Sequence, residues 1–275
     1  MHFRDKVVLI TGASSGIGKA LAETLKAQGA LLALCARNKE RLEQEFSGWD
    51  PERLLVYGAD VSKEADCKAF VDAVVARWGR VDVLLNNAGV SMRALFEDAS
   101  LDVLRELMDI NFWGTVYMSK LVLPYILQSQ GIIAGVSSIA GYRGLPARTG
   151  YSASKFAMQG FLEALRTELL YSGAHVMWVC PGFTASNIRN TARSADGSAQ
   201  KETPLDEKKL MSAETCARII VQGMAQRKRT VVMTRQGKLA VWMNKLFPGF
   251  VDKQVYQLFL KEADSPLRRY EQKNK

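Results

Sequence analysis

Along most of the chain, short and almost wholly apolar runs alternate with longer stretches in which apolar positions recur every three or four residues. The runs are Lys6 to Thr11 (KVVLIT), Ala30 to Ala36 (ALLALCA), Leu54 to Tyr57, Val81 to Leu85, Gly131 to Val136, Ala174 to Cys180 and Thr230 to Thr234. Hydrophobicity on successive residues suits a strand covered on both faces. Between the runs, Ile17, Leu21, Thr24 and Leu25 keep helical spacing up to Gly29, and a second helix is predicted from about 63 to 78, capped by Ser62. A long helical stretch covers about 100 to 128, and Ser212 opens another that reaches about Gln226. Strand and helix in alternation predict an α/β fold: a single-domain, Rossmann-type doubly wound parallel sheet of about seven strands, with helices on both faces and ligands at the strands' carboxyl ends. This domain is expected to span residues 1–234.

Two stretches break the pattern. Residues 183–211 are polar and strand-free, as in a functional lid or a disordered segment. Beyond the last run, Lys238 to Phe247 and Phe250 to Leu260 are apolar-rich helical candidates with interleaved lysines, separated by Pro248-Gly249. This extension, 235–275, could cover the cleft or pack on a second subunit, lie on an anionic membrane surface, or hang loosely. Neither candidate is long enough to span a bilayer.

Charge sharpens the picture of that tail. The formal net charge is +9, and from Arg235 to Lys275 nine Lys or Arg face four Asp or Glu, so five of the nine net charges lie there. The body is only mildly basic, and nucleic acid is not an expected partner. The four cysteines, Cys35, Cys67, Cys180 and Cys216, form no C-x-x-C pair, and no charged-then-apolar leader opens the chain; a reducing, cytoplasmic setting is expected. Two histidines, His2 and His175, argue against a histidine-rich metal site or a Ser-His-Asp triad.

Candidate chemistry gathers at the ends of the runs. Thr11-Gly12-Ala13-Ser14-Ser15-Gly16-Ile17-Gly18 joins the first strand to a helix N-terminus, where free backbone N–H groups and the helix dipole favour an anion. Its G-x-x-x-G-x-G spacing differs from G-x-G-x-x-G, so the motif alone fits nucleotide binding or a plain tight turn. After the second run stands Arg37, where an acid would bind a ribose 2′-hydroxyl; an arginine there pairs with a 2′-phosphate, or is simply a surface residue. Asp60-Val61, Asn87-Ala88-Gly89, Ser138 and Pro181-Gly182 end four later runs. Asn111 falls mid-helix, where an asparagine has a hydrogen-bonding task or faces solvent. Tyr151 and Lys155 are four apart and share one helix face, and an ammonium near a phenol favours the phenolate.

In their order and spacing, TGASSGIG (11–18), Asp60-Val61, NNAG (86–89), Asn111, Ser138, YSASK (151–155) and PG (181–182) strongly resemble the short-chain dehydrogenase/reductase family over about residues 5–234. The resemblance implies a catalytic set of Asn111, Ser138, Tyr151 and Lys155. Tyr151 would be the proton donor to a carbonyl oxygen, and Ser138 would hydrogen-bond that oxygen. Lys155 would lower the phenol's pKa and hold the nicotinamide ribose, and Asn111 would hold a proton-relaying water. It further implies NADP(H) along Gly12, Ser14, Ser15, Gly16, Ile17 and Gly18, with Arg37 at the 2′-phosphate. Asp60 and Val61 would flank adenine, Asn87, Ala88 and Gly89 the nearby ribose, and Pro181, Gly182 and Thr184 the carboxamide. A small carbonyl or alcohol substrate and a homodimer or homotetramer follow from the same resemblance, with Phe112 and Trp113 suited to a subunit contact. For the substrate end of the cleft the expected residues are Met92, Arg93, Tyr142, Leu145, Phe183 and Ile188.

Overall fold

The architecture is taken from a computed structural model that describes residues 2–182, 184, 188–200, 210–262 and 264–271. Seven strands form one sheet: β1 (Val7–Thr11), β2 (Leu31–Ala36), β3 (Leu54–Gly58), β4 (Val83–Asn86), β5 (Ile132–Val136), β6 (His175–Cys180) and β7 (Thr230–Val232). Every pairing is parallel and the order is β3-β2-β1-β4-β5-β6-β7. Strands β1 and β4 are wholly buried, which is why their sequences show no polar alternation. The chain runs outward from β1 to β3, then crosses back to place β4 on the other side of β1. That reversal opens a crevice at the carboxyl ends of β1 and β4.

Helices cover both faces. On one side α1 (Gly16–Lys26) packs on α7 (Ala213–Ala225), around Leu21, Leu25, Ile220 and Met224; α2 (Lys39–Glu45) contributes Leu42 to the same layer. On the other, α3 (Glu64–Trp78), α4 (Leu101–Met108), α5 (Gly114–Ser129) and α6 (Thr149–Glu168) enclose Phe70, Leu107, Met118 and Leu162. Burial of this kind is worth roughly 1.5–3 kcal/mol per large side chain. The four cysteines are free and buried in these layers as packing groups.

Two local expectations change. Lys63, not Ser62, is the N-cap of α3; the Ser62 hydroxyl instead donates to Asp60 Oδ1 at 2.8 Å. The long helix predicted over about 100–128 is interrupted between α4 and α5 by a π-helical turn, Asp109–Trp113, which inserts a wider coil where Asn111 stands.

The C-terminal extension contains α8 (Arg235–Leu246), α9 (Pro248–Leu260) and the short α10 (Arg268–Glu271). Pro248 does not separate the two longer helices but occupies the first turn of α9, where its missing N–H costs nothing. The segment is mounted on the rim of the crevice. Gly237 lies against Ile139, Asn244 Nδ2 donates to the Tyr142 carbonyl at 3.2 Å, and Arg143 pairs with Asp252.

Candidate active site

The carboxyl ends of the strands border a cleft of about 450 Å³. Each loop that follows a strand from β1 to β6 contributes to its wall. Of the residues expected from sequence, Gly12, Ser14, Ser15, Gly16, Ile17, Gly18, Arg37, Asp60, Val61, Asn87, Ala88, Gly89, Ser138, Tyr151, Lys155, Pro181, Gly182 and Thr184 all line it, and Asn111 does not. Leu145 and Ile188 also line it, as expected. Met92 instead lies in the core, Arg93 pairs with Glu262, and Tyr142 accepts a hydrogen bond from Trp178 Nε1 at 3.0 Å, away from the cleft wall. Phe183 lies outside the described residues.

The turn after β1 leaves no room for a side chain at Gly12 or Gly18. A Cβ on Gly18 would stand 2.2 Å from the Gly12 carbonyl oxygen and 2.6 Å from Asn87 Nδ2, and Gly12 itself has φ +67° with Ala88 against it. Ser15 begins α1 without a side-chain cap, and the first turn of α1 carries no acidic residue, so its N–H groups are left for an anion in the cleft. Asn87 holds this turn rather than reaching outward. Its Nδ2 donates to the carbonyls of Thr11 and Gly12 at 2.9 and 3.1 Å, so both amide hydrogens are engaged. At the far end, exposed Arg37 is joined by a cation that the sequence reading missed, Arg41 in the first turn of α2. Asn38 caps that helix by accepting from the Arg41 N–H at 2.7 Å, which brings Arg41 to the same wall. No acidic partner of Arg37 or Arg41 is found among the described residues.

The other half of the cleft is organised by α6. Tyr151, Lys155 and Gln159 lie on one face at successive intervals of four. Lys155 Nζ donates to the Val136 carbonyl at 2.9 Å and stands 5.8 Å from the Tyr151 ring centre. Gln159, also missed, donates to Ser137 Oγ at 2.8 Å and to the Ser138 carbonyl at 3.3 Å, and so fixes the turn after β5. Its place one helical turn beyond Lys155 was the signal available in the sequence. Ser138 Oγ accepts from the Ala140 N–H at 3.1 Å, leaving the hydroxyl hydrogen to donate.

Asn111 is a staple. Buried in the π-helical turn, it accepts from the Val90 N–H at 2.9 Å and donates through Nδ2 to the Val90 carbonyl at 2.9 Å and Ser154 Oγ at 2.8 Å. Ser154 in turn donates to the Tyr151 carbonyl at 2.8 Å. One asparagine therefore ties the loop after β4 to the turn of α6 that carries Tyr151. With both amide hydrogens engaged, a water at Asn111 would be held through one of its oxygens.

Burial dominates the electrostatics. It pushes the Tyr151 phenol above its ordinary pKa; the Ser138 hydroxyl draws it down, Cys180 raises it further, and the Arg148 guanidinium draws it down more weakly. Burial pushes the Lys155 pKa down to about 8, against a small raising effect of Cys180. Desolvation disfavours the charged form of each group, so it raises the phenol and lowers the amine.

Fold and cleft define a doubly wound α/β protein whose site lies at the topological switch point, with a glycine turn at one end and a Tyr-Lys helix at the other. Residues 6–197 match the family described as short chain dehydrogenase. The human dehydrogenase/reductase SDR family member 7 is 38% identical over 245 residues, covering 86% of this chain and 72% of the relative. The 11-beta-hydroxysteroid dehydrogenase 1A of Arabidopsis thaliana is 38% identical over 259 residues, covering 90% and 73%. A short chain dehydrogenase/reductase from Burkholderia phymatum, solved in complex with NAD, superposes with a TM-score of 0.80 at 23% identity over 91% of this chain and 96% of its own, a likeness of fold. The chain belongs to the short-chain dehydrogenase/reductase family, oxidoreductases acting on CH–OH and C=O groups.

Proposed function

We propose that this protein is an NADP(H)-dependent oxidoreductase that interconverts a ketone or aldehyde and the corresponding alcohol, with Tyr151 as general acid and base. The observation that carries this reading is the convergence of Ser138, Tyr151 and Lys155 on the cleft that holds the glycine turn and Arg37. A pure binding module has no need for that convergence. The cradle fits a dinucleotide: the Gly12–Gly18 wall would take the pyrophosphate, Arg37 and Arg41 the 2′-phosphate, and Asp60 and Val61 the adenine. When bound, the nicotinamide would supply or accept the hydride.

In reduction, Tyr151 gives its proton to the carbonyl oxygen, while the Ser138 hydroxyl donates to the same oxygen as negative charge builds on it. A phenol held above its ordinary pKa is fully protonated at neutral pH, the form needed to donate. Lys155 spends one of its three N–H donors on Val136, and the rest would hold the nicotinamide ribose. Asn111 keeps Tyr151 in place through Ser154.

Oxidation of a lipophilic alcohol is a second reading of the same site, supported by the 38% identity to the Arabidopsis hydroxysteroid dehydrogenase. A panel of ketones, aldehydes and hydroxysteroids, followed by NADPH consumption or NADP⁺ reduction, separates the two. No turnover in either direction would leave only the binding module.

Cofactor choice has its own test. Arg37→Asp is expected to weaken NADPH relative to NADH by about 10- to 100-fold, since loss of a charge-assisted hydrogen bond costs roughly 1.5–3 kcal/mol. Discrimination that stays unchanged would remove Arg37 from the 2′-phosphate.

The extension carries a further proposed contact. Among the described residues no helix is long and apolar enough to cross a membrane. Yet Leu239, Trp242, Leu246, Phe247 and Phe250 are more than half exposed, and α8 contains Arg235, Lys238 and Lys245 with no acidic residue. An aromatic and cationic helical corner of this kind suits an anionic lipid surface. Because the segment braces the cleft rim, its removal would disturb the site, and Trp242→Ser with Phe250→Ser is the cleaner variant. Vesicles containing phosphatidylserine should bind the parent and lose most of that binding with the double variant. Equal binding refutes the lipid contact. Assembly into a homodimer or homotetramer rests on exposed Trp113 and Phe156, on the helical face beside Asn111 and Tyr151, and is read by light scattering.

A further inference from the structure

The C-terminal segment meets a charged residue of the cleft wall through Glu262. Arg148 lines the cleft directly before α6, and its guanidinium donates through one nitrogen to both carboxylate oxygens of Glu262, at 2.9 and 3.0 Å. The same guanidinium lies 4.6 Å from the ring centre of Phe259, and Arg93 Nε approaches Glu262 at 3.4 Å. Glu262 is buried and Arg148 nearly so, with side-chain exposures of 8% and 14%. Phe259 and Leu267 meanwhile join Leu95 and Ala147 in a separate apolar cluster that anchors the segment next to this pair.

We propose that Glu262 is a positioning residue that fixes the Arg148 guanidinium in the cleft wall that Tyr151, three residues further on, also lines, so that the C-terminal segment helps to build the proton-transfer site. A buried guanidinium is retained where a carboxylate offsets its desolvation, and without one it turns to water. The groups acting on the Tyr151 phenol are Ser138, Cys180 and Arg148, with Lys155 5.8 Å from its ring; those acting on Arg148 are Glu262, Arg93 and Tyr151. Glu262 pairs with Arg148 and Arg93, so its influence on the phenol passes through the guanidinium it holds. Arg148 draws the phenol's pKa down, and losing it should let that pKa rise.

This inference rests on Tyr151 being the acid, and its test reads the phenol without turnover. In the full chain, the pH titration of Tyr151 phenolate absorbance is taken as the difference from Tyr151→Phe, for the parent, Glu262→Ala, Arg148→Met and the double variant. Glu262→Ala and Arg148→Met should each raise the Tyr151 pKa, and the double variant should rise no further. Additive shifts, or no shift, overturn the proposal. A fall in Glu262→Ala also overturns it, because removing a carboxylate that acted by its own charge would lower the pKa. Circular dichroism checks the fold of each variant, and Glu262→Gln replaces Glu262→Ala if the alanine variant does not fold. If Tyr151→Phe kept full turnover while the coupling appeared, the catalytic reading would fail and the positioning role would stand.

Discussion

Tyr151→Phe is expected to lower kcat for carbonyl reduction by about 10²- to 10⁴-fold, the usual contribution of a positioned general acid. Phenylalanine keeps the ring on its face of α6 and removes only the hydroxyl, so stability and dinucleotide affinity should change little. The pH dependence supplies a second check. Because the phenol is held above its ordinary pKa, it is protonated at and below neutral pH, where reduction should be fastest. Oxidation needs the phenolate and should rise as the solution becomes alkaline. Lys155, held at about 8, keeps its ammonium below that pH and loses it above, so steps that need the cation decline from there upward. A Tyr151→Phe enzyme that reduced its substrate at the parent rate would exclude the phenol as acid.

Asn111→Ala is expected to lower both stability and turnover. The substitution orphans the Val90 N–H and carbonyl and removes a partner of Ser154, all in the buried loop and helix beside the cleft. Ser154 keeps its bond to Tyr151, so two buried groups are left without partners at about 1–3 kcal/mol each, roughly 2–6 kcal/mol in total. At about 2–4 °C per kcal/mol for a chain of this size, the melting temperature should fall by about 4–24 °C. Turnover should fall as well, since Asn111 no longer ties Ser154 and the Tyr151 turn to the loop after β4. Thermal melting with kcat on the same variant decides the matter: lost turnover with an unchanged melting temperature would mean that the side chain acts in the chemistry itself.

The strands were legible because a strand covered on both faces is apolar at nearly every position, as in β1 and β4, and because runs this short suit a strand better than a helix. The glycine turn was legible for a related reason. Backbone atoms approach so closely around Gly18 that only glycine fits, and such a constraint is written into the residue type. The face shared by Tyr151 and Lys155 followed from helical periodicity alone.

Other features depend on contacts across many residues. Asn111 and Ser154 are 43 positions apart, and the sequence does not say that the amide of one is spent on the other. The π-helical turn that places it leaves no mark in an otherwise continuous helical pattern. Arg41 carries no signal of its own in the sequence, and only the capping of α2 brings it to the cleft beside Arg37.

By itself, the sequence determined the alternation of strand and helix, the carboxyl-end location of the site and its principal residues, because burial and backbone space act locally. Tertiary structure alone decided the direction in which burial shifts Tyr151 and Lys155, the stapling hydrogen bonds of Asn111 and the reach of Glu262 to Arg148. Desolvation and ion pairing depend on what surrounds a group in space, and Arg148 meets its carboxylate 114 residues further along the chain.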